Sequence, residues 1–202
     1  MKNKWDERYG KSTYIYGKQP KAYLKEKLAD LTPGRILFPA EGEGRNAVYA
    51  AEKNWEVVGF DFSKEGKKKA KALAKEKDVE ITYQVFKAED FESEENSFDA
   101  MALTYAHFAE KRSVIHKRLS AFVKPGGYLI LEAFNKKHLE NQKVNPQAGG
   151  PKNIEMLYDL EEIKQDFKGF EFKEALNAET VLKEGENHLG KAAVVRLFGI
   201  KK

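Results

Sequence analysis

The sequence predicts a doubly wound α/β domain: a mostly parallel sheet with helices on both faces, closed by antiparallel strands at its end. Three observations predict it. Short apolar runs alternate with stretches of helical spacing from residue 36 to about residue 133. The first run, Ile36-Leu37-Phe38, leads straight into Gly42, Gly44 and a small-residue stretch ending at Ala51, which reads as strand, tight turn and helix start. The last two runs, 170–182 and 192–200, flank Gly185 to Gly190 with no helical stretch between them, and strands joined so tightly must be antiparallel.

Composition narrows the classes of function. At 202 residues the chain reads as one domain, 1–202, large enough for a substantial core. The net charge of +4 is small against 36 basic and 32 acidic residues. The longest basic run, Lys64 to Lys77, is broken by Glu65, Ala70, Leu73 and Glu76 and reads as a solvated helix face, which argues against a nucleic-acid partner. No apolar stretch approaches a membrane span, and Met1-Lys2-Asn3-Lys4 does not begin a signal peptide, so a cytoplasmic location is expected. The absence of cysteine excludes disulfides, thiolate metal sites and cysteine nucleophiles. No metal site is expected either, since His107 and His188 are isolated in the sequence. No feature of the sequence specifies an oligomeric state.

Along the chain, residues 1–20 are dense in aromatic rings: Trp5, Tyr9, Tyr14 and Tyr16, with Arg8 among them. One reading is a lid over a ligand, in which aromatic faces attract a cation and Arg8 clamps a carboxylate. The other is simple packing against the outside of the sheet. Residues 22–31 have helical spacing, stopped by Thr32-Pro33-Gly34. Strands are then expected at 36–40, 56–61, 79–86, 97–103 and 128–133, with helices at 44–53, 64–77, 110–122 and 159–167. Lys124-Pro125-Gly126-Gly127 reads as a turn before the strand at 128, and 141–153, with two prolines and Gly149-Gly150, as one long loop. Asp61 falls at the carboxyl end of the second strand, beside the glycine turn, where a carboxylate can accept from both hydroxyls of a ribose.

In order and spacing, the turn at Ala40 to Gly44, Asp61, Ala88-Glu89, Ser97-Phe98-Asp99 and Lys124-Pro125-Gly126-Gly127-Tyr128 resemble the class I S-adenosylmethionine-dependent methyltransferases. The flanking pieces are similar to the tellurite-resistance branch of that superfamily, near the thiopurine methyltransferases: Trp5-Asp6-Glu7-Arg8-Tyr9, Tyr16-Gly17, Glu43-Gly44-Arg45-Asn46, His107, Leu131-Glu132-Ala133-Phe134, Gly149-Gly150-Pro151, and Glu184-Gly185 with His188 and Gly190. The resemblance implies a Rossmann-like, seven-stranded mixed sheet with its last strand antiparallel, and S-adenosyl-L-methionine as cofactor. It places the cofactor against Ala40, Glu41, Gly42, Gly44 and Asn46, against Asp61 and Phe62, against Ala88 and Glu89, and against Thr104 and Tyr105, with Arg8 and Tyr16 contributed by the lid.

Two positions depart from the family pattern. Where it usually reads Asp-Leu-Gly-Cys-Gly, this chain reads Phe38-Pro39-Ala40-Glu41-Gly42, so the acid ending the first strand is absent. Glu41 either substitutes for it or points to solvent. In the adenine loop Lys87 stands where Asp is common, which leaves the N6 contact to Asp90 or to backbone.

Methyl transfer from a sulfonium is an in-line displacement, so the protein mainly holds nucleophile, carbon and sulfur in line and excludes water. An ionised soft nucleophile needs no base, whereas an oxygen or nitrogen nucleophile calls for one. Candidate bases or orienting groups are His107 after the fourth strand, and Glu184 and His188 between the last two. His116 and His138 are expected at the surface. The resemblance implies a small-molecule methyl acceptor: a thiol or a selenium or tellurium species. The alternatives are a non-catalytic S-adenosylmethionine-binding sensor or partner protein, and an O- or N-methyltransferase of a metabolite. The Asn-Pro-Pro-Tyr-like tetrad of base-methylating relatives is absent, since the chain reads Thr104-Tyr105-Ala106-His107.

Overall fold

A computed structural model describes residues 4–185 and 187–202; the first three residues of the expected lid lie outside it. Seven strands form one sheet in the order β3-β2-β1-β4-β5-β7-β6. They are β1 (Arg35–Pro39), β2 (Glu56–Asp61), β3 (Thr82–Val85), β4 (Phe98–Thr104), β5 (Val123–Phe134), β6 (Phe170–Glu184) and β7 (His188–Lys201). The first five run parallel, and β7 is antiparallel to both β5 and β6. The expected mixed sheet with its antiparallel last strand is therefore present.

Strand β1, next to the central strand β4, is buried because helices cover both its faces. Ile36, Leu37 and Phe38 are all fully buried. Successive side chains of a strand point to opposite faces. Leu37 accordingly joins a core with Met101, Leu103 and Ile115, while Ile36 and Phe38 join another with Leu24, Val48 and Leu73. The helices behind that second core are α2 (Ala22–Ala29), α3 (Arg45–Glu52) and α4 (Lys64–Glu76). Helix α4 starts at Ser63, whose Oγ accepts from Gly66 N at 3.0 Å. On the opposite face lie α5 (Arg112–Ala121) and α7 (Leu160–Asp166), the latter capped by Asp159 accepting from Glu161 N and Glu162 N.

Several boundaries differ from the expected ones. Strand β3 is an edge strand whose ladder covers only Thr82 to Val85, so the apolar Val79 and Ile81 lie outside it. The turn signal at 124–127 does not precede β5 but is absorbed within it: between the pairs Phe98↔Val123 and Ala100↔Tyr128 the long strand bulges away from its partner. The expected loop 141–153 is shorter, because Asn141 to Val144 complete helix α6 (His138–Val144) and Pro146–Ala148 form a 3₁₀ turn started by the Asn145 side chain.

The two histidines expected at the surface are fully buried. His116 shares a hydrogen bond with Asp166 at 2.9 Å and stacks on Phe167. His138 stacks on Phe134 at 4.0 Å, accepts from Ala193 N at Nδ1 and faces Gly149 O with Nε2. Helical spacing alone had not shown that their elements pack with these faces inward.

The amino-terminal segment is both core and cavity wall. After α1 (Lys4–Tyr9), Tyr9 and Ile15 are buried, and Tyr14 Oη donates to Lys69 O at 3.0 Å. Glu43 anchors the segment: its carboxylate accepts from Ile15 N at 2.9 Å and Tyr16 N at 3.4 Å and pairs with Lys69 at 2.7 Å. The β6–β7 hairpin reaches over to meet it. Gly185 has φ of +58°, and a Cβ there would sit 1.9 Å from Ile15 O, so the tip admits glycine only.

Candidate active site

A cavity of about 830 Å³ opens at the carboxyl ends of β1, β2 and β4, where Ala40, Asp61 and Thr104 line it. In open α/β sheets this crevice, where the strand order reverses, is the ligand-binding position. The amino-terminal segment closes one side of it through Trp5, Arg8 and Tyr16.

The turn after β1 is built for close packing. Gly44 precedes α3 with φ of +86° and offers no side-chain cap. Glu41 supplies that cap from the turn, with Oε1 accepting from Asn46 N at 2.8 Å and Ala47 N at 3.0 Å. The carboxylate thus does not point to solvent. Gly42 and Gly44, expected against the cofactor, do not line the cavity. A Cβ at Gly42 would lie 2.6 Å from Tyr9 Oη and one at Gly44 2.5 Å from Ala70 Cβ, so these glycines admit the amino-terminal segment and α4.

Ala40 holds φ of +52°, a conformation costly for a residue with a Cβ. Ala40→Gly is therefore expected to stabilise the fold by about 1 kcal/mol, read as a higher denaturant midpoint at unchanged slope.

Asp61 is buried and held by backbone: Oδ2 accepts from Gly42 N at 3.1 Å and Oδ1 from Ser63 N at 2.8 Å. Among the described residues neither Glu41 nor Asp61 has a cationic partner within ion-pair distance. Burial accordingly raises Glu41 to about 7 and Asp61 to about 6, against the opposing effect of their backbone hydrogen bonds. Phe62, Ala88 and Glu89 line the same end, with Phe86 and Lys87 beside them; Asp90 does not reach the cavity.

At the other end, Tyr105 stacks on Phe134 at 4.4 Å and donates to Glu132 Oε1 at 2.9 Å. His107 and His188 also line the cavity. His188 is buried with Tyr16 at 4.4 Å and Tyr105 at 5.1 Å, its Nδ1 facing Glu184 Oε2 at 3.4 Å. Burial lowers its pKa, opposed by Glu184.

Glu184, expected as a base or an orienting group, does not line the cavity. One oxygen accepts from Lys21 Nζ at 2.6 Å and the other from Arg45 Nη2 at 2.8 Å. Despite the opposing effect of burial, these partners and His188 hold its carboxyl well below the usual range, leaving little basicity. The network continues from Lys21 to Glu132 at 3.2 Å and from Glu132 to Arg196 at 2.7 Å. Lys21, Arg45 and Glu132 are buried parts of the site that sequence reasoning missed. Arg45 and Glu132 stood inside quoted motifs without a role, while Lys21 carries no local signal.

Comparison with known proteins agrees with this geometry. Residues 36–127 match the family model of a methyltransferase domain, a span from β1 into β5 that includes the turn, Asp61 and the end of β4. This stretch is thus similar to a methyltransferase domain. A curated relative, the ubiquinone biosynthesis O-methyltransferase of Alkalilimnicola ehrlichii, is 32% identical over 117 residues, covering 56% of this chain and 47% of its own length. The chain thus spans about half the length of the curated relative it matches. By fold it is similar to a structure described for the conversion of a disulfide bond into a thioacetal group during echinomycin biosynthesis, with TM-score 0.76, 17% identity, and coverage of 98% and 91% of the two chains. It is also similar to TehB from Haemophilus influenzae, with TM-score 0.73, 16% identity, and coverage of 98% and 66%.

A further structure of similar fold, from Thermotoga maritima, is described as a SAM-dependent methyltransferase, with TM-score 0.65, 19% identity, and coverage of 90% and 88%. The donor set of this cavity suits S-adenosyl-L-methionine. Two enclosed carboxylates without a cationic partner, Glu41 and Asp61, match a ligand that brings an ammonium group and a pair of ribose hydroxyls. Phe62 and Phe86, about 40% exposed at the cavity wall, offer faces for a flat base. Among the described residues no group of three His, Asp or Glu side chains is placed to hold a metal ion, and no helix is long and apolar enough to cross a membrane.

Proposed function

We propose that the protein transfers the methyl group of S-adenosyl-L-methionine to a small-molecule nucleophile bound in the cavity beside it. The observation that carries the reading is convergence. Of the cofactor residues expected from sequence, all but Gly42 and Gly44 line one cavity at the switch point of the sheet.

When bound, the cofactor supplies a methyl group on positively charged sulfur. The chain's own residues bind, orient and exclude water. Glu41 and Asp61 offer acceptors at the wall, while Arg8, whose Nη1 donates to Tyr16 Oη at 3.0 Å, lines the side closed by the amino-terminal segment. Tyr16, Tyr105, Phe134 and His188 pack ring against ring and keep that end dry, which favours a displacement needing alignment more than covalent help.

The soft acceptors implied by resemblance, a thiol or a selenium or tellurium species, are supported by the likeness to TehB only at the level of fold. The competing idea of a non-catalytic binding protein rested on the altered first-strand motif. That alteration is accommodated here, since Glu41 caps α3 and still reaches the cavity wall. Calorimetric titration with S-adenosylmethionine and S-adenosylhomocysteine, with NAD as control, is the direct test. Micromolar binding of the first two and none of NAD is the expected result. Failure of both to bind would overturn the reading.

A further inference from the structure

We propose that His107 accepts a proton from the methyl acceptor, and that the acceptor is a hydroxyl compound with an apolar body rather than a preformed oxyanion; this rests on the methyl-transfer reading above. The argument starts from one hydrogen bond. His107 Nδ1 lies 2.6 Å from Met156 O, and a carbonyl can only accept, so Nδ1 carries the hydrogen. The neutral ring then presents a lone pair at Nε2. That atom is buried and has no hydrogen-bond partner among the described residues, although the residue lines the cavity. A buried acceptor left unsatisfied is costly, so a donor brought by the cavity's occupant is favoured there.

A second proton on the ring is opposed by its surroundings. Tyr158 packs on it at 4.9 Å and spends its hydroxyl on Ala106 O, and Phe134 lies parallel at 5.9 Å. The titratable neighbours are His188 on β7, His138 on α6 and His116 on α5, each of which disfavours a further positive charge. Burial is the largest effect, and the imidazole is pushed down to about 4. A fully deprotonated oxyanion would therefore set its lone pairs against another lone pair, whereas a hydroxyl meets Nε2 with a hydrogen. The walls beside it, Tyr105, Phe108, Phe134, Pro151 and Met156, suit an apolar body. The nearby carboxylates cannot replace the histidine, since Glu184 and Glu132 are both held by cations.

The step balances as follows: the hydroxyl proton moves to Nε2 as the oxygen lone pair forms the bond to the methyl carbon, and the electron pair of the methyl–sulfur bond remains on sulfur. The products are a methyl ether, S-adenosylhomocysteine and an imidazolium that returns its proton to water.

The test uses the full chain saturated with S-adenosylhomocysteine. Long-range ¹H–¹⁵N spectra, assigned with His107→Asn, are expected to show Nε2 unprotonated down to about pH 5 and shifted by phenol or cyclohexanol but not by sulfate, an oxyanion with no hydrogen to donate. Asn keeps a donor toward Met156 O and removes Nε2; His107→Gln is a second variant should Asn fail to fold. With a hydroxyl acceptor, either change is expected to lower kcat by about 100-fold or more at unchanged S-adenosylhomocysteine affinity, and to abolish the acid limb near pH 4 to 5. An Nε2–H tautomer, titration near 6.5, no shift with either alcohol, or oxyanion methylation untouched by the substitutions would overturn the proposal. Failure of S-adenosylhomocysteine to bind would instead overturn the cofactor reading on which it rests.

Discussion

Glu184→Ala is expected to destabilise the folded protein by about 3–5 kcal/mol, the usual cost of removing one partner from a buried ion pair. The carboxylate sits between Lys21 Nζ at 2.6 Å and Arg45 Nη2 at 2.8 Å, and both cations are under 10% exposed. Lys21 would keep Glu132 at 3.2 Å, but among the described residues Arg45 would keep no carboxylate partner, only Tyr16 O at 2.8 Å and the face of the Tyr16 ring. The loss would also loosen the amino-terminal segment, because Arg45 ties Tyr16 and the hairpin tip touches Ile15. Equilibrium denaturation measures the cost. The pH dependence has a defined sign: a carboxyl held below its ordinary value contributes stability that is present above the unfolded pKa of about 4.5 and is lost as pH falls toward the folded value. The wild type should thus lose this advantage in acid, and the variant should lack that part of the slope. A variant of wild-type stability would show that the network contributes nothing, and a catalytic role for Glu184 would return.

The difference between Glu184 and His107 shows what a sequence can carry. Both were candidates because they follow strand ends near the expected cofactor, a property of topology that hydrophobic alternation and turn residues encode locally. The same encoding placed β1, Asp61 and Thr104 correctly. The partners that decide a group's chemistry are contributed by distant segments. Lys21 meets Glu184 from the end of the amino-terminal segment, and Met156 meets His107 from a 3₁₀ turn, with no periodic pattern pointing to either meeting. His116 and His138 were misread for the same reason: polarity suggested solvent, while inside the fold Asp166 meets Nδ1 of His116, and Ala193 N with Gly149 O meet the two nitrogens of His138. The glycine turn was legible as a turn, but its glycines make room for Tyr9 and Ala70, which only packing reveals.

Cofactor affinity is expected to rise with pH between about 5 and 8, and by more for S-adenosylmethionine than for a ligand lacking the amino acid end. In the free protein burial holds Glu41 at about 7 and Asp61 at about 6. A carboxyl raised above its ordinary value favours the fold while protonated, and that contribution is lost as pH rises through the folded pKa. From about pH 4 to pH 7 the free protein should therefore lose stability on this account. A ligand whose ammonium and hydroxyls meet the ionised carboxylates recovers the loss, so binding releases protons and tightens as pH rises. If binding requires Glu41 ionised, affinity at pH 5 should be about 100-fold weaker than at pH 8, since each pKa unit corresponds to about 1.4 kcal/mol. Calorimetry in two buffers of different ionisation heat counts the protons released. Methylthioadenosine, which keeps the ribose but lacks the ammonium, should retain only the dependence centred near 6. Asp61→Ala should weaken both ligands by about 1–3 kcal/mol, the cost of hydroxyls left without a charged acceptor, and remove that lower dependence. A flat pH profile for both ligands would mean that neither carboxylate meets the cofactor, and that Glu41 serves only to cap α3.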